Sequence, residues 1–306
     1  MIDGDWWRRG WLVTAAALVV MVLLRFHLRV PNVGNLGSLL ETFLPWLVLM
    51  VVPLGVLALV RRAPIAVAAT AALAALWLTM FATTLWPKGT GGGDLRVLTH
   101  NVSAANTATE ATADALLDAD ADLVALQEFT GEKDFREAFA DRYPHEAVAS
   151  TVGLWSKFPI SSAEPLDLGL SWARALRAVV ATDGGELAVY VVHLASVRVG
   201  PLGFSSSQRD LAIGLLADQV ASDPVRRLVV MGDVNGSSYD RALAPLLEEV
   251  SSAQRLAGRG FGFTWPARFP LARIDQILVR NLATRRAWVL PRTGSDHRPV
   301  AANLSG

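Results

Sequence analysis

The sequence predicts a two-part chain, an all-α membrane-type segment followed by an α/β domain, and three observations carry that prediction. The charge is unevenly spread: residues 1–93 hold seven basic and three acidic residues, for a net of +4, whereas 94–306 have a net of −4. The first part contains long apolar runs almost free of charge. The second alternates short β-branched runs with helical segments, as an α/β domain does. With 52% hydrophobic residues, a formal net charge of zero and a mean hydropathy of +0.35, the chain is neither disordered nor a nucleic-acid coat. It has no cysteine, so disulfides, thiolate zinc sites and cysteine nucleophiles are excluded, and any metal must be held by oxygen or imidazole.

The first part reads as a transmembrane anchor over 1–87. Residues 39–60 contain one acid at the edge and no base, and 63–85 contain no charge. Each run can cross a hydrocarbon core of about 30 Å, so helices are expected near 39–60 and 64–86. Pro45 and Pro53 are tolerable in a membrane helix, where neighbouring groups satisfy the freed carbonyls. A third helix is expected near 6–28, from Trp6 onward, if Arg25 and Arg29 snorkel. With Arg8, Arg9, Arg61 and Arg62 on the cytoplasmic side, three spans place the second part outside the cell membrane. Residues 88–93, KGTGGG, form a Gly-rich linker that keeps the next domain within about 15 Å of the bilayer.

In the second part, 94–306, strands are expected at 95–100, 123–127, 151–156, 178–182, 187–193, 227–231, 274–279 and 300–304. Helices are expected at 109–118, 133–140, 206–222 and 239–248. Polar groups collect at the strand ends. Asn101 ends THN, Glu128 ends VALQE, His193 ends VYVVHL, Asp233 and Asn235 end LVVMGDVN, Asp275 opens RIDQIL, and Asp296 with His297 forms SDH. The carboxylates Glu128, Asp233 and Asp296 with the amides Asn101 and Asn235 suit a hard divalent cation, Mg²⁺ or Mn²⁺, rather than zinc. The histidines remain for proton transfer and charge stabilisation, with Asp275 the natural partner of His297.

This set, QE, HL, GDxN, RIDQIL and SDH, resembles the endonuclease/exonuclease/phosphatase superfamily, which includes DNase I, AP endonucleases, inositol polyphosphate phosphatases and neutral sphingomyelinases. The resemblance covers essentially all of 94–306, in order. It implies a four-layer α/β sandwich of the DNase I type and Mg²⁺-dependent cleavage of a phosphate ester. By match, Glu128 binds the metal, Asn101 supports metal or phosphate, and Asp296 completes the acidic cluster. Asp233 orients or deprotonates the attacking water, Asn235 holds the phosphate, and His193 and His297 face it from two sides, His297 held by Asp275. Arg174 and Arg177 lie where the family often supplies a phosphate-contacting arginine; Arg177 and Trp265 are taken as substrate-binding. His100 points to the face opposite Asn101 and is structural. Ser103 stands where AP endonucleases place an acid, and the domain is net acidic, which disfavours a DNA-backbone binder.

Membrane helices, short linker and minimal catalytic domain together resemble the VanJ-type teicoplanin-resistance proteins of actinobacteria. That likeness implies a phosphorylated lipid in the membrane as substrate, undecaprenyl pyrophosphate above all. An anchored extracytoplasmic nuclease and a sphingomyelinase-like phospholipase C are the alternatives. No stable nucleic-acid partner is expected, and no protein partner is identifiable. The loop after His193, with Val197, Val199, Leu202 and Phe204, is apolar enough to dip into lipid and guide a substrate tail.

Overall fold

The computed structural model describes residues 10–306 apart from residues 90, 131 and 202. Trp6, Arg8, Arg9 and Leu202 thus lie outside the described residues. Residues 95–305 form two six-stranded sheets packed face to face. In spatial order the first sheet runs Ala283–Val289, Val300–Ser305, Leu95–Asn101, Leu123–Gln127, Val152–Ser156 and His145–Ala149. The second runs Ser251–Ser252, Asp275–Arg280, Leu228–Asp233, Gly185–His193, Ala175–Thr182 and Ile160–Pro165.

Side-chain alternation along each strand sorts the residues into layers. Val97, Leu123, Ala125, Val189, Val191, Val229, Met231 and Ile277 fill the space between the sheets. Their sequence neighbours point outward. Leu98, Val124 and Leu126 of the first sheet pack under helices Thr109–Leu117 and Glu132–Phe139, through Leu116, Phe135 and Phe139. Tyr190, Val192, Leu228 and Val230 of the second pack under Ser207–Ala221 and Ala244–Glu249, through Ile213, Leu216 and Leu246. The result is helix, sheet, sheet, helix, the mixed α/β sandwich expected of the DNase I type.

All eight expected strands are present, within a few residues of their expected bounds. The longer strands not foreseen are His145–Ala149, Ile160–Pro165 and Ala283–Val289, and all three are sheet edges. An edge strand buries little, so it lacks the apolar run that marks a central one. The helix expected at 239–248 splits into a 3₁₀ turn, Arg241–Leu243, and Ala244–Glu249. Asp240 caps it, accepting from the Ala242 N–H at 3.0 Å.

The first part is helical, but the three-span anchor requires correction. Among the described residues only Pro64–Leu85 is long and apolar enough to cross a membrane. Trp11–Arg25 has 15 residues, short of a comfortable span. The expected 39–60 helix is broken: Leu36–Thr42, a 3₁₀ segment Leu44–Met50, then Val51–Val60, with a bend of 76°. Pro45 lies just beyond the end of the first piece, in the first turn of the 3₁₀ segment, and has no N–H with which to continue the α-helical ladder back to Glu41. One span results, or two if the bent pair counts as one, so the odd-span argument for an outside catalytic domain does not hold.

The helical unit does not dangle from its linker; it is packed against the sandwich. Glu41, fully buried, receives hydrogen bonds from the Arg241 guanidinium at 2.8–3.1 Å and from the Arg241 backbone N–H at 2.8 Å. Arg241 also donates to the carbonyls of Val30 at 2.9 Å and His27 at 2.8 Å. The Trp46 indole donates to the Leu271 carbonyl at 2.7 Å and stacks on Phe263 at 5.4 Å. Phe81 meets Tyr239 and Phe261 edge-on. Gly203, at φ 114°, lies against the Gly34 carbonyl so closely that a Cβ there would collide with it. Lys88 is fixed as well, donating to the Arg255 carbonyl at 2.6 Å.

Candidate active site

The strand register assembles the site. In the second sheet Asp233 is paired with His193 on one side and Asp275 on the other. In the first, Asn101 is paired with Gln127, immediately before Glu128. All four strand-end residues share the parity of the inward-facing apolar residues, so they converge between the sheets at one end of the sandwich. Gly232 makes the approach possible: at φ 146°, a Cβ there would strike the Val192 carbonyl of the neighbouring strand. Glu128 and Asn235 have left-handed backbone, φ 55° and 49°, which turns the chain as it leaves each strand.

Asn101 bridges the sheets, its Nδ2 donating to Glu128 Oε1 at 3.0 Å and Asp233 Oδ2 at 3.1 Å. The Ala104 N–H donates to Glu128 Oε2 at 3.3 Å. Asp233 Oδ1 accepts from the Asn235 N–H at 2.9 Å, and the Asn235 amide donates to the Leu194 carbonyl at 3.0 Å. The buried Arg209 braces this turn by donating to the Asn235 carbonyl at 2.8 Å. His297 Nδ1 lies 3.0–3.1 Å from both oxygens of the fully buried Asp275, and its Nε2 lies 3.8 Å from Asp233 Oδ2. Ser295 fixes the SDH turn, donating to the Asn101 carbonyl at 2.7 Å and accepting from the His297 N–H at 3.0 Å.

The electrostatics divide these groups by task. Burial lifts the Asp233 carboxyl and Asp275 adds to it; His297, the Asn235 N–H and Asn101 oppose, leaving it at about 7. Burial disfavours the His297 imidazolium, but Asp275, Asp233 and Asp296 overcome that and raise it to about 10. His193 goes the other way, lowered to about 4 by burial with help from Arg174 and His297. Burial raises the Glu128 carboxyl, yet Asn101, His193, the Ala104 N–H and His297 hold it below its ordinary value. At neutral pH the site therefore holds an ionised Glu128, a charged His297, a neutral His193 and an Asp233 poised to take a proton.

A cavity of about 690 Å³ opens over these groups, with Glu128, Asp233, Asn235, Asp296 and His297 in its lining. Glu128, like Asp296 at the rim, keeps side-chain surface exposed there, whereas both oxygens of Asp275 are turned to His297. Asp233, Asp275 and His297 bring donor atoms within 4.8 Å of one another, as a metal trio would. The His297–Asp275 hydrogen bonds and the burial of Asp275 favour a histidine–carboxylate pair there instead. The oxygen donors that fit a hard divalent ion are those of Glu128, with Asn101 and Asp233 beside it. Asp296 stands at the exposed rim, accepting from the Trp265 indole at 3.3 Å. The two ring nitrogens of His193 are buried without a hydrogen bond among the described residues, although Nε2 is 3.3 Å from Glu128 Oε1 in unaligned geometry.

Arg177 is not brought to the cavity. It faces the helical layer, where Nε and Nη2 donate to Asp223 at 2.7 and 2.9 Å and Tyr190 donates to the same carboxylate at 2.6 Å. Leu176 and Ala178 beside it take the inward face. Arg174, an odd number of residues away, is the cation whose field reaches Glu128 and Asp233, with Trp172 stacked 4.0 Å from its guanidinium. His100 is buried, 2.9 Å from Thr293 Oγ1, and burial lowers it to about 3. Phe204 is buried and lines the cavity rather than reaching outward. The cavity also contains Leu39, Thr42 and Phe43 from the helical unit, which motif reading did not connect with the site.

A two-sheet sandwich with acids, amides and a carboxylate-held histidine converging at one end defines a hydrolase of phosphate esters. Residues 98–297 match the Endonuclease/Exonuclease/phosphatase family, and the chain belongs to it. Members of this family are generally dependent on a divalent metal. The chain is similar to YbhP of Escherichia coli (strain K12), 27% identical over 229 residues, covering 62% of this chain and 86% of YbhP. In fold it is similar to D. rerio TDP2 complexed with a single-strand DNA product (TM-score 0.61, 18% identity, 69% of this chain and 99% of that one). It is also similar to the mannosyl-6-phosphatase Bt3783 of Bacteroides thetaiotaomicron (TM-score 0.57, 18% identity, 69% and 99%).

Proposed function

We propose that this protein is a membrane-associated, divalent-metal-dependent phosphohydrolase acting on a phosphorylated lipid, a lipid phosphate or pyrophosphate, with undecaprenyl pyrophosphate the particular substrate to test. The observation that carries the reading is the rigid union of a phosphoester site with an outwardly apolar helical unit. Leu12, Leu18, Val19, Val22, Val52, Val56, Leu59, Ile65 and Leu78 are exposed on its three main helices, a surface far more apolar than water-facing helices present. Pro64–Leu85 is the span, and the neighbouring helices pack on it and share its lipid contact.

In the reaction, water attacks phosphorus in line with the leaving oxygen. Asp233 accepts the proton of that water, which its raised pKa allows, and Asn101 keeps the carboxylate aimed between the sheets. The His297 imidazolium, held by Asp275, stabilises charge building on the phosphoryl oxygens. His193 hydrogen-bonds an oxygen of the same group, and Arg174 adds positive charge at the entrance. A bound Mg²⁺ or Mn²⁺, held by Glu128 with Asn101 beside it, supplies further neutralisation of the phosphate.

The test is phosphate release from undecaprenyl pyrophosphate in detergent with Mg²⁺, comparing wild type with Glu128→Ala, with plasmid DNA and sphingomyelin as parallel substrates. Release from the lipid that disappears in the variant, with DNA and sphingomyelin intact, supports the reading. Cleaved DNA or released phosphocholine without lipid hydrolysis replaces it with an anchored nuclease or a phospholipase C.

A further inference from the structure

We propose that the helical unit forms part of the active site itself: Leu39, Thr42 and Phe43 make the wall that receives the hydrocarbon chain of the substrate, and so determine specificity for it. This rests on the lipid-phosphate reading above. The cavity is chemically two-sided. Glu128, Asp233, Asn235 and His297 give it polar lining, and Leu39, Phe43, Val199, Phe204, Ile274 and Trp265 give it apolar lining. A small polar phosphate ester has nothing to offer such a wall. A molecule with a phosphate at one end and a hydrocarbon at the other satisfies both sides.

The wall is built and clamped. The helix Leu36–Thr42 ends at the break before Pro45, and the 76° bend sets its last turn at the cavity. Glu41, next to Thr42, is locked to Arg241, six residues beyond Asn235 of the catalytic turn. On the other side of the bend, Trp46 is held by the Leu271 carbonyl and Phe263, in the segment that leads into Asp275. Both clamps thus attach the wall to segments that carry catalytic groups. A few residues beyond Phe43 the same chain exposes Leu49, Met50 and Val52, so the cavity wall and the lipid-facing surface are one continuous segment.

The experiment compares phosphate release from dimethylallyl, geranyl and farnesyl pyrophosphates, one, two and three isoprene units, and from undecaprenyl pyrophosphate in detergent. It uses the full-length protein as wild type, Phe43→Asp, Leu39→Asp and Phe43→Leu. Wild-type kcat/KM is expected to rise with chain length, by about tenfold or more for each isoprene unit that becomes buried. In Phe43→Asp and Leu39→Asp this dependence flattens, chiefly through KM: the loss is about tenfold or more greater for the farnesyl compound than for dimethylallyl pyrophosphate. Phe43→Leu retains most of the dependence. Parallel losses on short and long substrates, or a wild type indifferent to chain length, overturn the wall while leaving lipid hydrolysis intact. Cleavage of dimethylallyl pyrophosphate with no turnover of undecaprenyl pyrophosphate by wild type overturns the lipid reading itself.

Discussion

Replacing Asp275 by Asn tests whether that carboxylate serves His297 or a metal. His297 is raised from 6.5 to about 10 against the opposing effect of burial, so the carboxylates around it hold the ring as the imidazolium. Asp275, with both oxygens 3.0–3.1 Å from Nδ1, is the nearest of the carboxylates responsible; Asp233 is at 3.8 Å from Nε2. Losing Asp275 removes the anchor of the ring and the nearest charge favouring the imidazolium, so kcat is expected to fall by about 10²- to 10³-fold with KM little changed. The amide is nearly isosteric and accepts from Nδ1, so the fold is retained. The assay is phosphate release at saturating substrate, together with Mn²⁺ affinity measured by electron paramagnetic resonance. Unchanged Mn²⁺ affinity with reduced kcat supports the pairing. A tenfold or larger loss of Mn²⁺ affinity would refute it and make Asp233, Asp275 and His297 the metal trio their mutual distances allow.

Glu128→Gln is expected to weaken Mn²⁺ binding by tenfold or more and to abolish turnover, because it removes the ionised oxygen donor facing the cavity; retained Mn²⁺ affinity would place the ion elsewhere. Arg177→Ala should lower Tm without changing kcat/KM at low temperature, since it strips the buried Asp223 of its bidentate partner, at a cost of about 3–5 kcal/mol. Burial raises the Asp223 carboxyl, but Arg177 and Tyr190 outweigh it and hold it below its ordinary 3.8. The pair's contribution is therefore complete above that value and fades as pH falls through the lower folded one, so wild type and variant should converge in acid. Arg241→Ala leaves the buried Glu41 with only the backbone N–H at 241 and the partly exposed His27, and should lower Tm by about 5–10 °C; an unchanged Tm would show that the two units are not held by this side chain.

Much of the sandwich was readable because its central strands carry their own signal. Leu123–Gln127 and Leu228–Asp233 are buried along their whole length and read as apolar runs. Ile160–Pro165, with no buried residue, and Ala283–Val289, with one, lie at the sheet edges, give no such signal and are defined by the ladder of a neighbour. The site was legible for the same reason: Asn101, Glu128, His193, Asp233 and Asp275 each interrupt or border an apolar run at its end. The arginine was not. Choosing between Arg174 and Arg177 depends on where the strand begins, and a parity step decides between the cavity and the helical layer.

By itself, the sequence determined the two-part division, the central strands and the polar strand ends, because each is a local property of composition and alternation, and the motifs at those ends carried the family resemblance that implies phosphoester chemistry. Tertiary structure alone decided that the long apolar run is broken by a 76° bend, that Glu41 finds its partner 200 residues away, and that Leu39 and Phe43 enter the catalytic cavity. The physical reason is that a buried charge and an apolar side chain state only a requirement. A lone acid in an apolar run requires a cation, and an apolar face requires cover. Which residue meets either requirement is settled by packing between segments far apart in the chain, and no local pattern encodes it.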